Sequence, residues 1–92
     1  MTITGKAGMA WYRQKDYPSL RILFVDGDSF LESYDDWHNG AKEAERRAIA
    51  WGVEIVRITI EPAAFSAWCK LQALRPDATA RRRYVRHGTL LW

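Results

Sequence analysis

The sequence predicts an α/β fold: a two-layer sandwich on a β-α-β core, with a small sheet covered on one face by a long helix and two C-terminal helices. Three observations predict it. An apolar stripe at helical spacing runs from Phe30 to Trp51. A β-branched and aromatic run, Leu20-Arg-Ile-Leu-Phe-Val-Asp26, precedes it, and a second, Val53-Glu-Ile-Val-Arg-Ile-Thr-Ile-Glu61, follows it. Two strands joined through a helix pair in parallel with a right-handed crossover. Both runs are apolar on one side and mixed on the other, with Val56, Ile58 and Ile60 opposite Ile55, Arg57, Thr59 and Glu61. Parallel strands buried on both faces read as apolar throughout. The second face is therefore expected to be open, or covered by a partner.

The elements follow in order. Residues 1–8 carry little pattern and read as a loose lead-in, and Ala-Trp-Tyr-Arg-Gln within Met9 to Gln14 reads as a possible short strand. Asp16-Tyr-Pro-Ser19 is a turn. The strand at 20–26 ends in Asp26-Gly-Asp-Ser29, which supplies a tight turn and helix caps. Phe30, Tyr34, Trp37, Ala41, Ala44, Ala48 and Trp51 are spaced 4, 3, 4, 3, 4 and 3, one side of a long helix with a narrow waist at its alanines. Gly52 suits the left-handed position that ends it. Pro62 fits the first turn of a helix reaching about Leu74, with Ala64, Phe65, Trp68 and Leu71 inward. Asp77 caps a short arginine-rich helix from Ala78 to His87, closed by Gly88. Trp37, Ala44, Ala48, Ile58 and Trp68 are the expected shared core.

Ninety-two residues suit one domain, with the core at 20–61 and a helical part at 62–88. Hydrophobic residues at 48% and charged residues at 27% exclude a disordered chain. Cys69 stands alone, so no intrachain disulfide is expected. Met1 to Met9 lacks the apolar run of a secretory leader, and no stretch approaches the ~20 apolar residues of a membrane span. A cytoplasmic location with no membrane partner is the expectation.

Ile22-Leu-Phe-Val-Asp-Gly-Asp-Ser-Phe30 resembles the first strand of the NYN branch of PIN-like nucleases and the opening of Y-family DNA polymerases. The resemblance covers about nine residues. It implies that Asp26 and Asp28, with Glu61 from the second strand, hold a divalent metal for phosphodiester chemistry. The same four residues Asp-Gly-Asp-Ser also meet the needs of any strand-to-helix turn, and that structural role is the expectation adopted. Asp35, Asp36 and His38 fall on one turn of the long helix, without the His-x-x-x-His spacing that fixes a metal. The sequence contains no nucleophile elbow and no glycine-rich phosphate loop. Neither a catalytic residue nor a cofactor is expected.

Charge is unevenly distributed. From Asp26 to Glu45 there are seven acids against one Lys, and from Arg75 to His87 five Arg against one Asp. Arg82, Arg83 and Arg86 share a helical side, adjoining Arg81, while Tyr84 and Val85 are left to pack. Guanidinium groups bind phosphate in bidentate fashion. Arg21 and Arg57, on the expected open sheet face, would extend that surface. The leading expectation is a non-enzymatic module binding nucleic acid, or a nucleic-acid-associated protein, through Arg81, Arg82, Arg83, Arg86, Arg21 and Arg57. The alternatives are a protein-binding inhibitor or accessory factor of a phage- or plasmid-like kind, and a minimal metal-dependent phosphodiesterase. The arginines would otherwise pair with Asp35, Asp36, Glu43 or Glu45 inside the fold. Leu23, Val25 and Ile55 on an open face, with the tail ending in Trp92, suggest a homo-oligomer.

Overall fold

The computed structural model describes residues 5–91. Met1 to Thr4 of the lead-in and the terminal Trp92 lie outside the described residues. In chain order the elements are β1 (Gly5–Trp11), α1 (Tyr17–Leu23), α2 (Tyr34–Ala50), β2 (Val53–Thr59), α3 (Pro62–Leu71) and α4 (Ala78–Leu90), with short 3-10 turns at Gln14–Asp16 and Gly27–Ser29. β1 and β2 form a parallel two-stranded sheet, in register from Gly5 opposite Val53 to Trp11 opposite Thr59. The expected α/β sandwich with a β-α-β core is what the chain forms.

The first strand of that core differs from the expectation. Leu20 to Leu23 is the second half of α1, and the true partner of β2 is β1. The run at 20–26 fits a period of two in sequence, but it buries Leu20 and Phe24 at a spacing of four. Leu20 and Phe24 are 1% and 3% exposed, whereas Ile22 between them is 86% exposed. Pro18 sits in the first turn of α1, where its missing N–H costs nothing. β1 was missed for the opposite reason. Gly5-Lys-Ala-Gly-Met-Ala has poor strand propensity, but its small residues let a helix come close. A Cβ on Gly8 would lie 1.9 Å from Thr89 Oγ1 and 2.7 Å from Val85 Cγ1, both on α4.

α2 begins one turn later than the stripe suggested. Ser33 caps it by accepting from the Asp36 N–H at 3.3 Å, and Phe30 remains outside the helix. Gly52 ends it at φ 88°, as expected. The buried line is also rotated: Ala41 is buried, Ala44 is exposed, and Glu45 takes a half-buried place beside it. Ala44 therefore leaves the expected core set, while Trp37, Ala48, Ile58 and Trp68 are half-buried. Trp51 is 82% exposed.

The two sheet faces carry different helices, so the expected covering of one face alone, with the other open, does not hold. Trp11 contacts Trp37 and His38, and Arg57 reaches Glu45, which places α2 over the face that holds Trp11 and Arg57. Gly8 and Ile58 point the other way and meet α4, where a Cβ on Gly88 would be 3.0 Å from Ile58 Cγ2. This contact explains why α4 continues through Gly88 to Leu90 instead of stopping there. Leu23 and Val25 belong to α1 and the loop after it, so they do not build an open sheet face.

The main core gathers where the strands end. Tyr12, Tyr17, Leu20, Phe24, Ile60, Phe65, Cys69, Ala80 and Val85 form one buried cluster. Tyr12 is its hub, with ring contacts to Tyr17, Phe24, Phe30 and Trp37. Burial pushes its phenol up to about 12, with Arg81 pulling the other way. The α3 helix starts at Pro62, as expected, and buries Phe65 and Cys69, but it leaves Ala64 and Leu71 exposed.

Candidate functional site

α4 is held by its N-terminal cap and by a narrow buried side. Asp77 Oδ1 accepts from the Ala80 N–H at 2.9 Å, and Ala80 and Val85 are buried with Tyr84 half-buried beside them. A helix that buries those positions must turn Arg82, Arg83 and Arg86 outward, and all three are exposed. Arg82 Nη2 donates to Thr79 Oγ1 at 3.1 Å. Among the described residues, none of the three pairs with a carboxylate. Two acids of α2 are engaged elsewhere, Glu43 with Arg46 and Arg47 and Glu45 with Arg57, and Asp35 and Asp36 make no ion pair with these arginines among the described residues.

Three other arginines were expected on this surface, and the structure removes each of them. Arg81 turns inward, its side chain 11% exposed, and donates twice to Asp26, Nη1 to Oδ1 and Nη2 to Oδ2, both at 2.7 Å. Its guanidinium also lies over the rings of Phe24 at 4.5 Å and Phe30 at 5.0 Å. Arg81 is thus a tie between α4 and the loop leading to α2. Arg57 makes paired hydrogen bonds to Glu45, both 2.7 Å, and covers the Trp11 ring at 3.8 Å on the sheet face opposite α4. Arg21 is on α1 and not on the sheet; it lines a hollow with Pro18, Ile22, Phe24, Val25 and Asp28, and its Nε has no hydrogen-bond partner.

The acids read as metal ligands do other work. Asp26 is not at a strand end, and both its oxygens are taken by Arg81, whose hydrogen bonds hold its carboxyl below the usual range. Val25 N–H donates to the Pro76 carbonyl at 3.0 Å, so the Asp26 loop is pinned beside the start of α4 by its backbone as well. Asp28 lies exposed in the 3-10 turn. Glu61 caps α3, accepting from the N–H groups of Ala63 and Ala64 at 3.2 and 2.7 Å. Among the described residues, no three His, Cys, Asp or Glu side chains come together as metal ligands. His38 stacks on Tyr34 with centroids 5.3 Å apart. Burial pushes the Cys69 thiol up, and Asp77 adds to the shift.

Sequence reasoning missed one feature of this region. β1 is an edge strand, and a groove of about 570 Å³ runs between it and α4, lined in part by Gly8, Ala10, Arg82, Arg86 and Leu90. The only signal was the run of small residues at 5–10, which suits close backbone approach as well as it suits a loose segment. Among the described residues, no helix is long and apolar enough to cross a membrane. No protein-family profile, curated protein or solved structure matches the chain, so its own geometry is the ground for any functional reading.

Proposed function

We propose that the protein is a non-enzymatic binding module that holds the phosphate backbone of a nucleic acid on the outer side of α4, through Arg82, Arg83 and Arg86. One observation carries this reading. Arg13, Arg46, Arg47, Arg57 and Arg81 each have a carboxylate partner, whereas among the described residues these three have none and, unlike the unpaired Arg21 and Arg75, are clustered on one helix. Unpaired guanidinium groups that need not first break an ion pair are suited to phosphate oxygens. The surface is smaller than the sequence implied, because Arg81, Arg57 and Arg21 do not join it. Its size favours contact with the backbone over reading of base edges.

Fluorescence anisotropy with labelled single- and double-stranded DNA and RNA, across a salt series, tests the reading. Three phosphate contacts on duplex DNA give a slope of log K against log salt of about −3, at ~0.9 per phosphate. The double substitution Arg82→Ala with Arg83→Ala is expected to reduce that slope by about two. It should also leave stability within about 0.5 kcal/mol, because both side chains are exposed. No binding to any of these nucleic acids at low salt would overturn the proposal.

A further inference from the structure

Among the described residues β1 has a strand partner on one side only, which leaves the backbone groups of Gly8 and Ala10 along its other side. In a parallel ladder each residue sends its N–H and C=O to one neighbour, and the next residue sends its own to the other. The Trp11 carbonyl accepts from the Ile60 N–H at 2.9 Å, so Trp11 and Met9 face β2. Gly8 and Ala10 therefore turn their amides to the open edge. That edge is one wall of the groove, and Arg82, Arg86, Thr89 and Leu90 of α4 form the other. Natural edges are commonly blunted by proline, a bulge or a covering segment. Gly5 to Trp11 contains no proline and keeps an unbroken register with β2.

We propose that this groove receives an extended, acidic segment of a partner protein, which adds as a third strand beside β1. Three observations set the chemistry of the occupant. The edge offers main-chain pairing, which requires an extended peptide and not a helix. Among the described residues the groove presents Arg82 and Arg86, neither paired with an acid, and no carboxylate lines it, so alternate side chains of the guest are acidic. The guest side chains that face α4 meet these cations together with the buried Val85 and Leu90, 77% exposed, and those between them turn to the opposite sheet face. A second copy of this chain fits poorly, because β1-to-β1 pairing would bring two sets of these cations together. This goes beyond the phosphate-binding reading: Arg82 and Arg86 serve both surfaces, but the open amides of Gly8 and Ala10 are of use only to a peptide.

The test uses a labelled heptapeptide alternating glutamate and valine, the same peptide with alternate amides N-methylated, and a version with lysine for glutamate. Anisotropy is expected to show binding of the first alone. Ala10→Pro removes an N–H that faces away from β2, a position where an edge strand tolerates proline, and it is expected to abolish peptide binding at an unchanged melting temperature. If that variant fails to fold, the N-methylated peptide on the unaltered protein still decides. Ala10→Pro should leave DNA affinity as it was, and Arg83→Ala should lower DNA affinity without affecting the peptide, so failure of either reading is visible separately. Equal binding of the N-methylated peptide, or none by the acidic one, overturns strand addition. Sedimentation showing a dimer that Ala10→Pro dissolves would overturn the acidic occupant in favour of a second copy.

Discussion

Asp26 and Arg81 are 55 positions apart and form a paired ion contact with both bonds at 2.7 Å. Replacing Asp26 by Asn leaves a mostly buried guanidinium with a neutral partner, at a cost of about 1–3 kcal/mol. The pH dependence has a definite sign. The folded-state carboxyl titrates below its unfolded value, so the contribution of the pair is complete above the unfolded value near ~4. It is lost as pH falls through the lower folded value. Urea melts below pH ~5 should therefore show a shallower loss of stability in Asp26→Asn than in the wild type; parallel acid limbs would contradict the assignment. Two glycines make a second contrast at this scale. A Cβ on Gly27 would be 1.7 Å from the Arg21 carbonyl oxygen, but one on Gly40 meets nothing within 4 Å. Gly40→Ala, inside α2, is expected to stabilise by about 0.5–1 kcal/mol. Gly27→Ala should destabilise by more than that, because rigid backbone must move. Thermal melts of the pair check both signs.

α2 and α1 show how an element can be recognised and still be misplaced. The helical period from Tyr34 to Ala48 was legible, as were its glycine terminator and the Pro62 start of α3. The rotation of α2 was not, since Ala44 and Glu45 are adjacent and either can face the sheet. Glu45 faces it because Arg57 stands there to receive the carboxylate, a partner on β2 that no spacing within α2 reveals. The waist of α2 is accordingly Ala41, 8% exposed. Ala41→Leu should overpack the contact and cost about 1–3 kcal/mol. Ala44→Leu, on the exposed side, is expected to change stability by less than about 0.5 kcal/mol. Chemical denaturation of the two variants separates them, and an equal cost would place Ala44 back against the sheet. α1 is a clearer ambiguity, because a short apolar run fits a strand or a buried helix side equally well.

For the whole molecule, the core lies at the strand ends and is closed by α1, α3 and α4, and Cys69 within it is 2% exposed. A thiol reagent can reach it only when that cluster opens. Labelling of Cys69 in native buffer should therefore be slow and should accelerate with urea in step with global unfolding. Fast labelling independent of urea would mean that α3 opens on its own. The same view accounts for the arginines. The chain concentrates acids in its first half and arginines near its end, and the fold neutralises only some of them. α4 has one inward arginine tied to Asp26 and three outward ones that, among the described residues, pair with no acid.

The sequence by itself determined the α/β class, the long central helix, β2 with its buried Val56, the buried Ile60 just beyond it, the start of α3 and the outward side of α4. These follow from local period and capping chemistry, which act within a few residues. Only the tertiary structure decided which segment pairs with β2, which residue of α2 faces the sheet, and which arginines remain exposed. Each of those depends on a partner far along the chain: β2 for the weakly patterned β1, Arg57 for Glu45, and Asp26 for Arg81. Strand pairing and ion pairing are settled by what else is near, and nearness between distant positions exists only once the chain has folded.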